Sequence, residues 1–175
     1  MAAELGINDF VAQFSGGGAR PNLYKVTTNI PGAPAQKSSY LCKAATLPES
    51  NMGKAEVPFM GRKIYVAGDK EFAEWTLTFL TDTDMEPRKS LEIWLNDINL
   101  HVANTGLLNP RDYYIDMLVE QLDRQGNTLT TYKMSGCFPT QIGEITLAYD
   151  ANDQVAEFPV TFSINYWSNA ETTDQ

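Results

Sequence analysis

This chain of 175 residues has two cysteines and one histidine, and its basic residues are outnumbered by its acids. Cys42 and Cys137 stand far apart, so they form no redox pair, zinc motif or disulfide framework, and two reduced, partly buried thiols are expected. His101 is alone, which excludes a two-histidine metal site or a second imidazole base within one chain; beside a helix end it reads as a surface or capping side chain. Thirteen Lys and Arg against 22 Asp and Glu leave a formal charge of -9, the opposite of a nucleic-acid footprint. The short basic pairs Arg62-Lys63 and Arg88-Lys89 do not reverse that balance. No apolar run is long enough to cross a bilayer and no signal-peptide pattern is present, so a soluble, non-secreted product without membrane insertion is expected.

Three clusters resemble chemical motifs and fail on spacing. Ser15-Gly16-Gly17-Gly18-Ala19-Arg20 lacks the Lys-Ser/Thr pair and the preceding strand of a phosphate loop, and reads as a hinge. Asp82, Asp84 and Glu86 fall where a strand becomes a helix, where negative charge favours the exposed amides of a helix start; nothing sets a second carboxylate across a cleft. Asp150, Asn152 and Asp153 lack the glycine and terminal glutamate of a calcium loop and read as a turn. No catalytic residue, metal ligand or cofactor is assigned.

What the sequence does contain is enough apolar material for one core, 43% hydrophobic residues beside 20% charged. A short helix opens the chain, with Asn8 or Asp9 as its cap and Phe10, Val11 and Phe14 as apolar contacts; it is too short to stand without a docking surface. Alternation predicts strands over residues 22–30, 39–45, 57–66 and 72–80, with an exposed loop over 49–56 and a turn at Ala67-Gly68-Asp69. Thr83 and Glu86 have capping-box spacing, and Leu91, Trp94, Leu95 and Ile98 form one stripe, which predicts a helix near 84–99. Hairpins are predicted from 113–122 to 128–135 and from 145–149 to 155–166. In the last strand Ala156, Phe158, Val160, Phe162, Ile164 and Tyr166 share one face, and Glu157, Thr161, Ser163 and Asn165 the other. The sum is a mainly β chain, an antiparallel β-sandwich or barrel-like fold with one flanking α-helix.

The order of Arg20-Pro21-Asn22-Leu23-Tyr24, Cys42-Lys43-Ala44, Phe59-Met60-Gly61-Arg62-Lys63-Ile64, Val66-Ala67-Gly68-Asp69, Phe72, Trp75 and Asn165-Tyr166-Trp167 resembles the tail tube proteins of contractile-tailed bacteriophages, particularly the T4-like group. The resemblance spans nearly the whole chain. It implies a structural protomer, not an enzyme, that assembles with itself as hexameric rings stacked into a tube. Its partners would be the tail sheath protein and the baseplate and tail terminator proteins, with transient, non-specific passage of double-stranded DNA during genome delivery from the virion. A related contractile injection or secretion device would use the same ring closure without carrying DNA. The resemblance divides the chain into an N-terminal helix and arm over 1–21, a tube domain over 22–167 and a polar tail over 168–175. It places subunit contacts in the N-terminal region, over 6–21, and in a long loop, over 48–60, and the interface candidates are Phe10, Phe14, Arg20, Met52, Phe59, Met60 and Arg62. Glu157, Thr161, Ser163 and Asn165 are the channel-lining candidates, because a polar or acidic bore lets phosphate slide without adhering.

Overall fold

The structure, a computed structural model, describes residues 6–14 and 18–172. In chain order its elements are α1 (Ile7–Gln13), β1 (Tyr24–Thr27), α2 (Ala35–Leu41), β2 (Cys42–Ala45), β3 (Ser50–Phe59), β4 (Arg62–Phe72), β5 (Trp75–Leu80), α3 (Glu86–Ile98), β6 (Ile115–Leu122), β7 (Thr128–Ile142), β8 (Glu157–Ser163) and β9 (Tyr166–Asn169). The mainly β class with a flanking helix, α3, is as expected, and α2 is a further helix beside it. A seven-stranded antiparallel sheet runs in the order β1-β6-β7-β8-β5-β2, with β9 also paired to β7. The long strand β7 belongs to both halves: its first part pairs with β6 and β9, and Phe138–Ile142 pairs with β8. Between these parts lies Gly136, at φ 67, where a Cβ would meet the Asn165 side chain at 2.2 Å. Only glycine fits that bend.

The faces turned toward each other carry the alternating apolar residues. Trp75, Leu77 and Phe79 of β5, Phe158, Val160 and Phe162 of β8, and Met117, Val119 and Met134 of β6 and β7 are all buried. From α3, Leu91 and Trp94 join them, and Phe162 lies 6.1 Å from the Trp75 ring and 6.3 Å from the Trp94 ring. The 3.6-residue stripe therefore packs on the period-two faces within one chain.

Local chemistry explains where the observed elements depart from the sequence expectation. Residues 35–41 form α2 rather than the beginning of a strand, and only Cys42–Ala45 is β. Pro34 stands at the cap of this helix, and the Ser39 hydroxyl donates to the Ala35 carbonyl at 2.8 Å. α2 sits beside the two outer strands, and the Tyr24 hydroxyl reaches from β1 to the Lys43 carbonyl of β2. The capping box of α3 does not form: Met85, left-handed at φ 51, precedes the helix with no side-chain cap. Lys37 instead draws Asp82, Asp84 and Glu86 to 3.1, 3.2 and 3.1 Å, so Glu86 is committed across to α2.

Residues 145–149 are not a strand, because β8 already has β5 on one side and the end of β7 on the other. The last strand is interrupted as well. Ile164 and Asn165 separate β8 from β9, and Tyr166 is 52% exposed rather than in the core.

Candidate assembly surface

The segment read as a loop over 49–56 and a strand over 57–66 is one continuous hairpin, β3 and β4, forming a sheet of its own. Phe59 pairs with Arg62, so the turn is the two residues Met60 and Gly61, at φ 45 and 80. Two consecutive positive φ values match the twist of flanking strands, which is why the chain reverses here. Ala67-Gly68-Asp69, expected as the turn, lies within β4 instead. There Gly53 and Gly68 bring their backbones together at a register shift between Met52 and Lys54, and a Cβ on Gly53 would stand 3.1 Å from the Asp69 carbonyl oxygen.

Every residue of β3 and all of β4 except Phe72 is exposed. The register assigns the two faces. Ala55, Val57 and Phe59 lie opposite Val66, Ile64 and Arg62 on one face. Lys54, Glu56 and Pro58 lie opposite Ala67, Tyr65 and Lys63 on the other. The second face is satisfied locally, since Lys63 bonds Glu56 at 2.7 Å and Lys54 sits over the Tyr65 ring at 5.0 Å. The first is an apolar strip ending in a guanidinium. Isolated two-stranded ribbons are marginal in water, and an uncovered apolar ribbon with free edges is a template for another chain. Met52 and Met60 add to the exposed sulfur and methyl surface at 61% and 90% exposure.

A second surface, unpartnered among the described residues, is α1. Gly6 caps it, so Asn8 and Asp9 fall inside the helix rather than at its cap. Its Phe10 and Phe14 rings stack at 5.5 Å and face solvent together with Ile7 and Val11. A seven-residue helix has little stability of its own. Ser15, Gly16 and Gly17 of the expected hinge lie outside the described residues; Arg20 is exposed, and its carbonyl accepts from the Leu23 amide at 3.2 Å.

The polar face of β8 is the third surface. Thr161 pairs with Thr76, Pro159 with Thr78 and Glu157 with Leu80. The Thr76 and Thr161 hydroxyl oxygens are 3.5 Å apart, and the Thr140 hydroxyl donates to the Thr161 carbonyl at 3.2 Å. Glu157 forms an ion pair with Lys43. Glu157, Thr161 and Ser163 thus share a face that is mostly neutral hydroxyl. Asn165 lies beyond the end of β8, against Gly136.

Chemistry elsewhere is structural. Burial pushes the Cys42 and Cys137 thiols up to about 12, which removes thiolate character at neutral pH. Hydrogen bonding to Lys37 holds the Asp82 carboxyl below its ordinary value. The His101 amide donates to Asn96 Oδ1 at 3.4 Å, and among the described residues no group of three or more His, Cys, Asp or Glu is arranged to hold a metal. Sequence reasoning singled out Phe59 and Arg62 of the strip and Met60 beside it, and its interface segment over 48–60 takes in Val57, but it missed Ile64 and Val66. The alternation on both sides of Met60-Gly61 was the available signal.

Comparison with known proteins follows the same architecture. The family described as "Phage tail tube protein" matches residues 8–170. The chain is 36% identical over 165 residues to tail tube protein gp19 of Enterobacteria phage T4, an alignment that covers 92% of this chain and 98% of that protein. Its fold is similar to the tube-terminating cap of the anti-feeding prophage, with a TM-score of 0.66 at 16% identity, covering 87% of this chain and 90% of that one. It is also similar to a chain of the extended sheath-tube complex of the extracellular contractile injection system PVC, with a TM-score of 0.64 at 16% identity, covering 90% and 95%.

Proposed function

The chain belongs to the phage tail tube protein family and is a structural tube protomer of the phage tail; from that premise we propose which of its surfaces build the tube. The apolar strip of the β3–β4 hairpin docks on a second copy, and α1 docks on a further copy through Phe10 and Phe14. Repetition of these head-to-tail contacts closes a hexameric ring, and rings stack. Phe59, Arg62, Met52 and Met60 belong to the hairpin contact, and Arg20 to the arm that carries α1.

The observation that carries this reading is the hairpin itself, a ribbon apolar on one face, locally satisfied on the other and exposed throughout. A protomer folded for life as a monomer would have no use for it. Capping the strip with an identical neighbour removes the free surface that otherwise invites uncontrolled pairing.

The hydroxyl face of β8 lines the bore in this arrangement. Glu157, Thr161 and Ser163 offer water-bonding groups, and the Lys43 ammonium is already paired with Glu157, so phosphates of double-stranded DNA find little to hold them. Asn165 stands at the margin of that face. The sheath, baseplate and tail terminator are the partners, a reading supported by the fold shared with a chain of the PVC sheath-tube complex.

Electron microscopy of the purified protein over a range of concentrations, with and without its baseplate, tests the proposal. Hexameric rings and tubes are the expected result. Monomers alone, with the baseplate present, would overturn it.

A further inference from the structure

We infer that Trp167 is a positioning residue that fixes the angle of the β3–β4 hairpin relative to the sheet. The inference rests on the proposal that the hairpin is an assembly contact, and it concerns how a ribbon exposed along its length is held in one direction. A hairpin free to swing would lose orientational entropy on every docking event, and rigidity set in advance removes that penalty.

The root of the hairpin converges on one side chain. Trp167 is part of the short strand β9, which is paired with β7 through Met134 and so is tied to the core. The Trp167 indole Nε1 donates to the Glu49 carbonyl at 3.3 Å, immediately before β3 begins. Phe72, the last residue of β4, presents its ring edge-on to Trp167 at 6.4 Å. Lys70 places its ammonium 5.8 Å from the Trp167 ring and 5.0 Å from the Phe72 ring. Tyr132 of β7 also packs against the indole, with ring centroids 5.4 Å apart.

Both strands of the hairpin are therefore gripped where they leave the body, β3 by a hydrogen bond and β4 by a ring and a cation. One residue holds the two together. Phe72 is the one residue of these two strands that is half-buried rather than exposed, which marks the boundary between the clamped root and the free ribbon. Edge-to-face ring pairs and cation–ring contacts are directional, so the cluster selects an angle as well as adding area.

The test is the spread of distances between two spin labels, one on the ribbon at Lys63→Cys and one on the body at Arg124→Cys, both exposed positions. The native thiols at Cys42 and Cys137 are buried and escape labelling. The parent protein gives a narrow distribution. Trp167→Ala broadens it at least about twofold, the expected loss when a positioning contact is removed. Trp167→Phe, which keeps a ring against Tyr132 and Phe72, stays close to the parent. Phe72→Leu leaves the pairing of β9 with β7 in place and also broadens the distribution, so it decides the matter if Trp167→Ala fails to fold. A distribution as narrow as the parent's in folded Trp167→Ala, or in Phe72→Leu, overturns the inference.

The double substitution Val57→Thr and Ile64→Thr separates this inference from the docking proposal. It leaves the label distribution narrow and suppresses assembly. If that variant assembles normally, the docking proposal fails while the clamp stands; if folded Trp167→Ala remains narrow, the clamp fails while the docking proposal stands.

Discussion

Replacing Val57 and Ile64 by threonine alters the apolar strip with little change in shape. The two residues face each other across the hairpin and are 46% and 53% exposed. Threonine keeps the β-branch, so strand preference and the turn at Met60-Gly61 are preserved while a methyl of Val57 and the ethyl arm of Ile64 each become a hydroxyl. Full burial of a Val or Ile side chain is worth about 1.5–3 kcal/mol. About half of each remains to be covered by a neighbour, so each contributes about 1 kcal/mol to docking, and the pair about 2 kcal/mol per contact. Threonine keeps one methyl at each position but must give up water around its hydroxyl, at about 0.5–2 kcal/mol, so the loss is of the same order and each contact weakens by roughly thirtyfold, at about 1.4 kcal/mol for each factor of ten. Ring closure multiplies the effect, because every interface around a ring carries the same lesion. The assay is sedimentation with negative-stain imaging over a concentration series, beside a thermal melt of the protomer. The onset of tubes should move to much higher concentration with the melt unchanged. The partner change on the polar face, Glu56→Gln with Lys63→Gln, removes an exposed ion pair and should leave assembly nearly as it was. Equal assembly by the threonine variant and the parent would refute the assignment of this face.

Removal of residues 2–18 takes away α1 and should shorten or abolish tubes while the protomer melts normally, since α1 buries none of its residues; unchanged tube length and yield would defeat this. The thiols give a pH dependence of known sign. Their folded pKa values of about 12 lie above the ordinary value of 9.0, so their contribution is complete below about pH 9 and is lost as pH rises from there toward 12. The loss is at most about 1.4 kcal/mol per pH unit for each thiol. Urea midpoints at pH 8 and 10.5 should differ less when Cys42 and Cys137 are both alanine, and an identical difference would show that the thiols do not drive it. Thr161→Lys adds a cation to the hydroxyl face, so tubes of this variant should retain DNA more strongly at low salt than at high salt. Retention that matches the parent at every salt concentration would remove that face from the bore.

Much of the core was legible because burial follows one periodicity at a time. Trp75, Leu77 and Phe79 alternate with Thr76 and Thr78 in sequence and alternate between buried and less buried in the fold. Phe158, Val160 and Phe162 behave alike, and Leu91 with Trp94 marks the inner stripe of α3. What failed depended on competition between groups distant in sequence. Glu86 has the right spacing for a capping box, yet Lys37 takes its carboxylate. Residues 145–149 have strand character, yet no edge of β8 remains open to them. Neither outcome is written in a local window.

The assembly surface was harder to read for a different reason. A strand that buries one face in its own core and a strand that reserves one face for a neighbour carry the same alternating pattern, because water exclusion acts alike on both. Within the strand expected over 57–66, the pattern of Val57, Ile64 and Val66 therefore does not say which kind of face it is; Phe59 is an interface candidate only through the resemblance, and the expected strand runs straight through Met60 and Gly61. The discriminating fact is three-dimensional: among the described residues no second layer lies over the strip, and β3 is exposed along its length. The root gives the same lesson in reverse. Trp167 is one of the residues that carry the family resemblance, but its meaning comes from meeting Glu49, Lys70 and Phe72, which lie about a hundred residues earlier in the chain and reach it only when β9 closes against β7. Completion of the protomer core thus comes before the hairpin can be aimed, so a chain with an unformed core holds its apolar strip without the orientation that a growing ring requires.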